Sequence, residues 1–362
     1  MSGIRRERQG PLAVLRLDKA RGNAIDEPLV DALREATRAL GADDTVRGVL
    51  LASAHPKVFC PGLDLRTLID YERDDMKRFM LRFAEAVWAL YGLQKPVVAA
   101  VAGHAVAGGC ILALTADHRV LRLDKARGNA IDEALVDELL EACRELEADE
   151  SVRGVLLASA HPKLFCPGLD LVSLIEYDRP RLRRFMTAFG RMVSALHGLR
   201  KPVVAAVSGH AIAGGCILAL AADWRVLRRG GVTIGLNEVK LGVPLPLAVS
   251  KLLRATVAPG ALARVALLGR NFADGEAVAA GLADELAEET GFEAACLSRL
   301  QEFAEKDPYS VAVTKAYLRA DARREIEAED PAAAEAWLDG WFSPATQDRI
   351  RATVASLTRQ SK

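Results

Sequence analysis

The chain has 362 residues, enough for one large domain or two of ordinary size with a substantial hydrophobic core. Lysine plus arginine and aspartate plus glutamate both number 48, so no net charge favours nucleic acid or an anionic membrane as a partner. Gly, Ser and His interrupt the apolar runs, and no apolar segment follows the basic N-terminus, so we expect a cytoplasmic protein without a membrane span or signal peptide.

The chain contains a long internal repeat. The sequence VLRLDKARGNAIDE occurs at 14–27 and again at 120–133, a shift of 106 residues that holds without a gap up to Arg122 and Arg228. The period is too long for the familiar arrays of short repeats. The triplet Val120–Arg122 ends the first copy and begins the second. We therefore expect the copies to pack as one continuing structure without a flexible linker.

Each copy alternates short β-branched runs with helical patterns, which predicts an α/β architecture. The predicted strands of the second copy are Leu121–Leu123, Gly154–Ala158, Val203–Val207 and Trp224–Leu227. Its predicted helices are Glu133–Glu147, Arg179–His197 and Gly214–Ala222. A strand and irregular loop are expected over Thr233–Pro246, followed by the helices Leu247–Val257, Pro259–Gly269, Asp274–Ala280, Phe292–Lys306, Ser310–Glu329 and Ala332–Leu357.

Four of the six cysteines are duplicates, Cys60 with Cys166 and Cys110 with Cys216. Their spacing is not that of zinc ligands, and the pattern does not suggest a secreted disulfide framework. We therefore predict no metal site. Cys166 has no basic partner placed beside it by the sequence, and a buried small apolar role fits it better than a nucleophilic one.

Two glycine-bearing turns could carry chemistry. CPGLDL (Cys166–Leu171) lies between a strand and a helix, and GHAIAGGC (Gly209–Cys216) leads from a strand into a helix. Such turns leave backbone amides free, and two converging turns could bind a developing oxyanion. On pattern alone, close helix–sheet packing explains Gly214 and Gly215 better. A dinucleotide site is less favoured still, because the G-x-G-x-x-G spacing is absent.

In the order FCPGLDL and then KPVVAAVSGHAIAGGC, the two turns resemble the enoyl-CoA hydratase/isomerase (crotonase) superfamily. The resemblance covers about Arg119–Leu357 as a complete member and Leu12–Arg122 as the front part of another. It implies an α/β spiral of ββα turns with a helical C-terminal region, extended by a partial N-terminal repeat. The domains would be a truncated repeat at 1–119, a complete core at 120–285 and a helical region at 286–362.

The resemblance also implies an oxyanion hole. In the family two backbone amides hold the carbonyl of an acyl-CoA thioester, and the matching positions here are Leu169 and Gly214. The first copy offers Leu63 and Gly108 in the equivalent places, a possible vestigial site. Coenzyme A would be part of the substrate, so no separate cofactor is expected, and the family's trimers or hexamers imply a homo-oligomer.

The acid/base positions distinguish the reactions of the family. Its hydratases use two glutamates, but the first position here is Ile217, with Ile111 in the first copy. The second position matches Glu238 in IGLNEVKLG. Two acid/base groups suit the addition of water, whereas one carboxylate suits moving a proton between carbons. Without the resemblance, Glu238 would be taken for a solvated surface charge.

Four further residues are candidate contacts of CoA. Lys125 and Arg127 lie where the family's first turn approaches the CoA phosphates, although a solvated pair is an equal alternative. Cys166 and Asp170 flank the amide of Leu169 in the CPGLDL turn. For Asp170, a helix cap is the favoured alternative to proton transfer.

The combination GLDL, GGCILAL and IGLNEVKLG is most similar to Δ3,Δ2-enoyl-CoA isomerases within the superfamily. The expected function is therefore to shift the double bond of a 3-enoyl-CoA to give a 2-enoyl-CoA, with Glu238 carrying the proton. Two alternatives stay open. One is hydration or another reaction of the superfamily. The other is a non-catalytic CoA-binding or assembly protein whose active site was spoiled by the fusion.

Overall fold

The computed structural model describes residues 3–9, 12–93, 95, 97–101, 104–114, 116, 118–150, 152–328 and 330–360. The chain forms two compact units, Met1–Val120 with Glu150–Val155 and Leu121–Asp149 with Leu156–Lys362. The chain passes from the first unit to the second within the strand His118–Leu123. The triplet shared by the two copies is therefore part of a single strand, while the packing of the copies and the three domain boundaries stay predictions.

The first unit is built on a mostly parallel sheet. Its strands are β1 (Ile4–Gln9), β2 (Leu12–Leu17), β3 (Gly48–Ser53), β4 (Val58–Cys60), β5 (Val97–Ala100), β6 (His104–Ala105) and β7 (His118–Leu123). Its helices are α1 (Ala20–Asn23), α2 (Glu27–Ala42), α3 (Leu65–Leu68), α4 (Arg73–Tyr91) and α5 (Gly108–Leu114). The order is β1-β2-β3-β5-β7, with only β1 antiparallel to its neighbour, and β4 pairs separately with β6.

Amphipathic helices close the core of the first unit. Helix α2 begins after Asp26, whose carboxylate accepts a hydrogen bond of 3.1 Å from the amide of Leu29. The apolar faces of α2 and α4 bury Leu33, Phe79 and their neighbours against the side chains of β2, β3 and β5. Their charged faces stay in water, which is the arrangement that a 3.6-residue apolar period produces.

The second unit repeats this plan and continues it. Its strands after β7 are β8 (Gly154–Ser159), β9 (Leu164–Cys166), β10 (Val203–Val207), β11 (His210–Ile212), β12 (Trp224–Arg228), β13 (Thr233–Gly235), β14 (Asn271–Ala273) and β15 (Glu285–Ala287). The order β8-β10-β12-β15 forms one layer, and β14-β13-β11-β9 forms a second layer, in which only β14 is antiparallel. Two strands and one helix thus recur along the chain, and the predicted α/β architecture is confirmed.

Helices make up the rest of the second unit. They are α6 (Ala126–Asn129), α7 (Glu133–Ala148), α8 (Leu171–Leu174), α9 (Arg179–Gly198), α10 (Gly214–Ala221), α11 (Glu238–Leu241), α12 (Leu247–Thr256), α13 (Asp274–Ala280), α14 (Phe292–Ala304), α15 (Pro308–Glu327), α16 (Pro331–Trp341) and α17 (Pro344–Gln360). Helix α15 packs on α9 and α12. Its buried Lys315 and Arg319 bind the carboxylate of Asp223 at 2.6 and 2.7 Å, which fixes α15 against the end of β10.

The structure corrects several predicted elements. The helix expected over Pro259–Gly269 is a 3₁₀ turn at Pro259–Ala261 and a π-helical turn at Ala263–Leu267. The helix expected over Ala332–Leu357 is divided into α16 and α17, because Pro344 has no amide hydrogen to continue the first helix. Glu329, the expected end of α15, lies outside the described residues.

Across the described ranges, none of the helices has both the length and the apolar character that crossing a bilayer requires.

Candidate active site

A cleft of about 1160 Å³ opens in the second unit, beside the two glycine-bearing turns. Residues from α6, α8, α9, α10 and α11 and from the C-terminal helices α16 and α17 line it. They include Lys125, Arg127, Leu169, Asp170, Met186, Phe189, Gly214, Ile217, Glu238, Trp337, Trp341 and Leu357. The structure therefore brings together six of the seven site residues predicted for the second copy, all except Cys166.

Leu169 presents its amide from the first turn. Gly168 has φ +104°, a backbone conformation that glycine adopts without strain. The carbonyl of Gly168 accepts from the amide of Ile131 and the amide of Asp170 donates to the carbonyl of Ile131, both at 2.8 Å. This bridge fixes the backbone on either side of Leu169. Within the described ranges no acceptor takes the amide hydrogen of Leu169, so this donor is available to a ligand.

Gly214 presents the second amide from the start of α10. Ala213 has φ +50°, which strains a residue with a side chain and turns the chain sharply into the helix. A Cβ on Gly215 would lie 2.0 Å from the carbonyl oxygen of Cys166, so only glycine fits there. A Cβ on Gly168 would lie 3.2 Å from the Gly214 nitrogen, which shows how closely the two turns approach. No described acceptor binds the Gly214 amide either.

Glu238 lines the same cleft as these turns and is the first residue of α11. Its Oε2 is buried and has no hydrogen-bond partner among the described residues. Burial raises the pKa of this carboxyl to about 7. The pKa of the Cys216 thiol in α10 is also raised, first by burial and then, to a smaller extent, by the charge of Glu238. Glu238 is thus an under-solvated carboxyl that can change its protonation near neutral pH, close to the helix that supplies the Gly214 amide.

Ile217 occupies the position from which a second carboxylate could reach the cleft. It is 2 % exposed and lies one turn into α10, whose buried residues are all apolar or glycine. Asp170 is the other carboxylate among the described lining residues. It is held by Arg127 at 2.7 Å and by the hydroxyl of Ser173 at 2.8 Å. Among the described lining residues, Glu238 is therefore the carboxylate without an ion pair.

The predicted CoA contacts have different outcomes. Arg127 lies at the rim with its side chain 56 % exposed, and Lys125 forms an ion pair with Asp132. Asp170 stands at the N-cap position of α8, as expected, but its carboxylate makes no capping hydrogen bond and binds Arg127 instead. Both basic side chains line the cleft, so their role in binding CoA stays a prediction.

Cys166 is not a contact of CoA. Its side chain is completely buried, and its thiol donates a hydrogen bond of 3.1 Å to the carbonyl of Asn129. Burial raises the pKa of this thiol to about 12. The prediction of a ligand contact is therefore wrong, whereas the alternative of a small buried residue is confirmed.

The first unit repeats the two turns without the rest of the cleft. Ala107 has φ +49°, and a Cβ on Gly109 would lie 2.0 Å from the carbonyl oxygen of Cys60. The amides of Leu63 and Gly108 have no acceptor among the described residues, as in the second unit. The first copy ends before any counterpart of Glu238. Its turns therefore supply an amide pair without an acid/base group.

Sequence reasoning missed the aromatic cover of the cleft. Trp337 and Trp341 of α16 stack with ring centroids 5.5 Å apart, and both line the cleft. It also missed three basic residues at the rim, His161, Lys163 and Lys240. The tryptophans recur four residues apart in an apolar stretch, which indicates a buried face, but the two turns lie more than 120 residues earlier in the chain. Nothing local relates them to the turns.

In the portions of the chain that the structure describes, no group of three or more His, Cys, Asp or Glu side chains is arranged to hold a metal ion.

Comparison with known proteins agrees with this geometry. The family described as enoyl-CoA hydratase/isomerase matches the chain twice, over residues 7–127 and 120–343. Human mitochondrial enoyl-CoA delta isomerase 1 is 30% identical over 213 residues, which cover 58% of this chain and 70% of that protein. Carnitinyl-CoA dehydratase of Proteus mirabilis is 29% identical over 205 residues, covering 57% and 78% of the two chains. The crystal structure of human mitochondrial delta3-delta2-enoyl-CoA isomerase matches with a TM-score of 0.64 and 25% identity, over 67% of this chain and 95% of that one.

Proposed function

The chain belongs to the enoyl-CoA hydratase/isomerase family, and we propose that its second unit converts a 3-enoyl-CoA into a 2-enoyl-CoA. The crotonase-like fold predicted from the resemblance is confirmed, and the match to the family in two overlapping segments agrees with the duplication. The choice of isomerisation within the family is our proposal. One observation supports it above the others. Among the described residues that line the cleft, Glu238 is the single carboxyl without an ion pair, and two amides there have no described acceptor.

In this proposal the thioester oxygen of the substrate accepts hydrogen bonds from the amides of Leu169 and Gly214. Preorganised amides stabilise an oxyanion better than the ground-state carbonyl, because they need not reorient as charge develops. The developing negative charge also lies at the N-terminus of α10, where the helix dipole favours an anion. These amides lower the energy of the dienolate that forms when the α-carbon loses a proton.

Glu238 carries the proton in this proposal. Its ionised carboxylate removes a proton from C2 of the 3-enoyl-CoA, and the C–H electrons form a dienolate across C1 to C4. The same carboxyl, now protonated, returns the proton to C4, so the double bond moves to C2–C3 and no atom is gained or lost. A pKa of about 7 suits both steps, because a group with this pKa can both accept and donate a proton near neutral pH.

The basic rim of the cleft supports CoA as the handle of the substrate. Arg127 has exposed guanidinium nitrogens beyond its pair with Asp170, and Lys163 and Lys240 lie on the same rim. Guanidinium and ammonium groups suit phosphate oxygens. CoA is then the carrier part of the substrate, and the proton transfer proposed for Glu238 needs no further cofactor.

Hydration or dehydration is the second candidate, and the similarity to a carnitinyl-CoA dehydratase favours it. Addition of water needs one group to activate the water and another to handle the α-proton. One of the two acid/base positions of the family is Ile217 in this chain, so a reaction of this type would have to run on Glu238 alone. The non-catalytic alternative is disfavoured by the intact pair of amides and the buried carboxyl oxygen in the same cleft.

The test is incubation of the full chain with a 3-enoyl-CoA and, separately, with a 2-enoyl-CoA. We expect 2-enoyl-CoA from the first and little 3-hydroxyacyl-CoA from the second. In Glu238→Gln, kcat should fall by about 10²–10⁴-fold, since the base is lost and the shape is kept. The exposed Glu176→Gln is the matched control and should keep wild-type activity. Equal isomerase rates in Glu238→Gln and wild type would remove Glu238 from the mechanism.

A homo-oligomer, trimeric or hexameric, and a cytoplasmic location complete the proposal. The two human proteins compared above are mitochondrial by name, so the compartment is to be measured by fractionation and not carried over. Sedimentation of the full chain tests the assembly directly.

A further inference from the structure

Helix α4 of the first unit exposes an apolar face whose counterpart in the second unit is covered. The exposed side chains recur at helical spacing along α4, at Met80, Leu81, Trp88 and Tyr91. Trp88 is 67 % exposed, whereas the equivalent Ser194 in α9 is 7 % exposed. A contiguous apolar face of this kind on a folded unit marks a binding surface.

In the second unit, α16 covers the first half of this face. Arg179 of α9 donates to Glu335 and to Asp339 of α16, both at 2.6 Å, and Arg183 pairs with Glu335 as well. The same helix buries Leu338 near Met186, in a groove between α9 and α16. The basic end of α9 thus binds two acidic residues of α16 that lie four positions apart, next to an apolar side of that helix.

The first unit keeps the charges that recognise such a helix. Arg73 and Lys77 occupy the positions of Arg179 and Arg183, and Met80 occupies that of Met186. Both cations are exposed, and within the described ranges neither forms an ion pair or a hydrogen bond. The neighbouring Arg78 differs, because it pairs with Asp75 on its own helix. The basic pair next to Met80 and Leu81 is therefore complementary to an acidic helix with an apolar side.

The part of the α4 face near Trp88 differs from the corresponding part of α9, and this difference limits the length of the ligand. In the second unit the hydroxyl of Ser194 donates to Glu327 of α15 at 3.1 Å, so α15 packs closely there. In the first unit Trp88 stands at that position and packs edge-on against Tyr91, with ring centroids 5.8 Å apart. An indole in place of a hydroxymethyl group leaves no room for a helix that follows the path of α15.

We propose that this face of α4 binds a separate polypeptide through a short, acidic amphipathic helix with bulky apolar side chains, of the same kind as α16. The helix lies over Met80 and Leu81, pairs its two carboxylates with Arg73 and Lys77, and ends at Trp88. A second copy of this chain does not supply it, because Trp337, Leu338 and Trp341 of α16 are buried within its own unit. The binding is independent of catalysis in the second unit.

The probe is a fluorescein-labelled peptide with the sequence of residues 330–343, DPAAAEAWLDGWFS, titrated with the full chain and followed by anisotropy. We expect saturable binding that weakens with salt. The double variant Arg73→Glu/Lys77→Glu should weaken it by about tenfold or more, since two attractions become repulsions. Arg78→Glu, one residue further along α4, is the matched control and should leave the affinity unchanged.

A charge-reversed peptide with Glu335→Lys and Asp339→Lys provides the decisive comparison. It should bind the wild-type chain weakly and recover affinity for Arg73→Glu/Lys77→Glu. Absence of peptide binding, or equal binding by the wild type and the double variant, overturns the proposal. So does a full chain that self-associates and dissociates in the double variant, because the face is then occupied by a second copy. Isomerase activity is measured in parallel and is expected to be the same in all three proteins.

Discussion

Replacing Glu238 by glutamine should stabilise the second unit at alkaline pH, while it impairs the proposed catalysis. Burial raises the pKa of this carboxyl from its ordinary 4.5 to about 7 in the folded chain. Below pH 4.5 the group is protonated in both the folded and the unfolded chain and contributes no pH dependence. Between pH 4.5 and 7 the unfolded chain releases the proton first, so the free energy of unfolding falls as pH rises. Above pH 7 the loss is complete.

The size of this loss follows from the two pKa values. A difference of about 2.5 pH units corresponds to roughly 3 kcal/mol of unfolding free energy. Glutamine cannot ionise, so the Glu238→Gln variant does not lose this unfolding free energy as pH rises. The difference in stability between Glu238→Gln and wild type should therefore grow by about 3 kcal/mol between pH 4 and pH 8. Comparing two pH values cancels the constant cost of burying the amide.

Urea unfolding of both proteins at the two pH values measures this difference. Fluorescence of the tryptophans follows the transition, since Trp224, Trp337 and Trp341 all lie in the second unit. The exposed Glu176→Gln should show no such pH-dependent difference. A stability difference between Glu238→Gln and wild type that is the same at pH 4 and pH 8 would refute the reasoning, because it would mean that Glu238 has an ordinary pKa in the folded chain.

The remaining predictions concern activity. The isomerase rate at saturating substrate should rise with pH and level off above about 7, as Glu238 ionises; a pH-independent rate between 5 and 8 would contradict this. Ile217→Glu should increase hydration of a 2-enoyl-CoA, measured as 3-hydroxyacyl-CoA, whereas the matched Ile111→Glu in the first unit should not. Gly215→Ala should abolish isomerase activity, since its Cβ would lie 2.0 Å from the Cys166 carbonyl; an active variant would exclude the close packing of the two turns.

Local sequence features account for most of the predicted elements. Helix α9 starts where expected because Asp178 accepts a hydrogen bond from the amide of Arg181 and Pro180 fits the first turn. The strand β10 and the helix α13 have the predicted bounds. The π-helical turn Ala263–Leu267 could not be predicted, because its residues suit an ordinary helix. The 3₁₀ turn before it begins with Pro259 and Gly260, which disfavour a regular helix, and this signal was overlooked.

The candidate site could also be predicted only in part from the sequence. The two amide turns could be located from their glycine-bearing motifs. Gly168 is required by its positive φ, which is a local property, whereas Gly215 is required by its close approach to the Cys166 carbonyl of the other turn. The protonation state of Glu238 could not be predicted, because its pKa depends on burial by segments distant in the chain. The choice of Cys166 as a ligand contact failed for a similar reason. Its neighbours in sequence line the cleft, but its thiol points to Asn129, on the other side of the turn.

The amide turn of the first unit shows what preserves such a structure. Ala107 keeps its strained backbone, and Gly109 keeps its contact with the Cys60 carbonyl, in a copy that has no glutamate to work with them. Folding alone is enough to maintain the geometry, since the helix can approach the strand only through that turn. A pair of converging amides is thus inherited with the scaffold. Under the proposed function, a new catalyst could be made from the first unit by adding one carboxyl near an amide pair that already exists, without designing that pair.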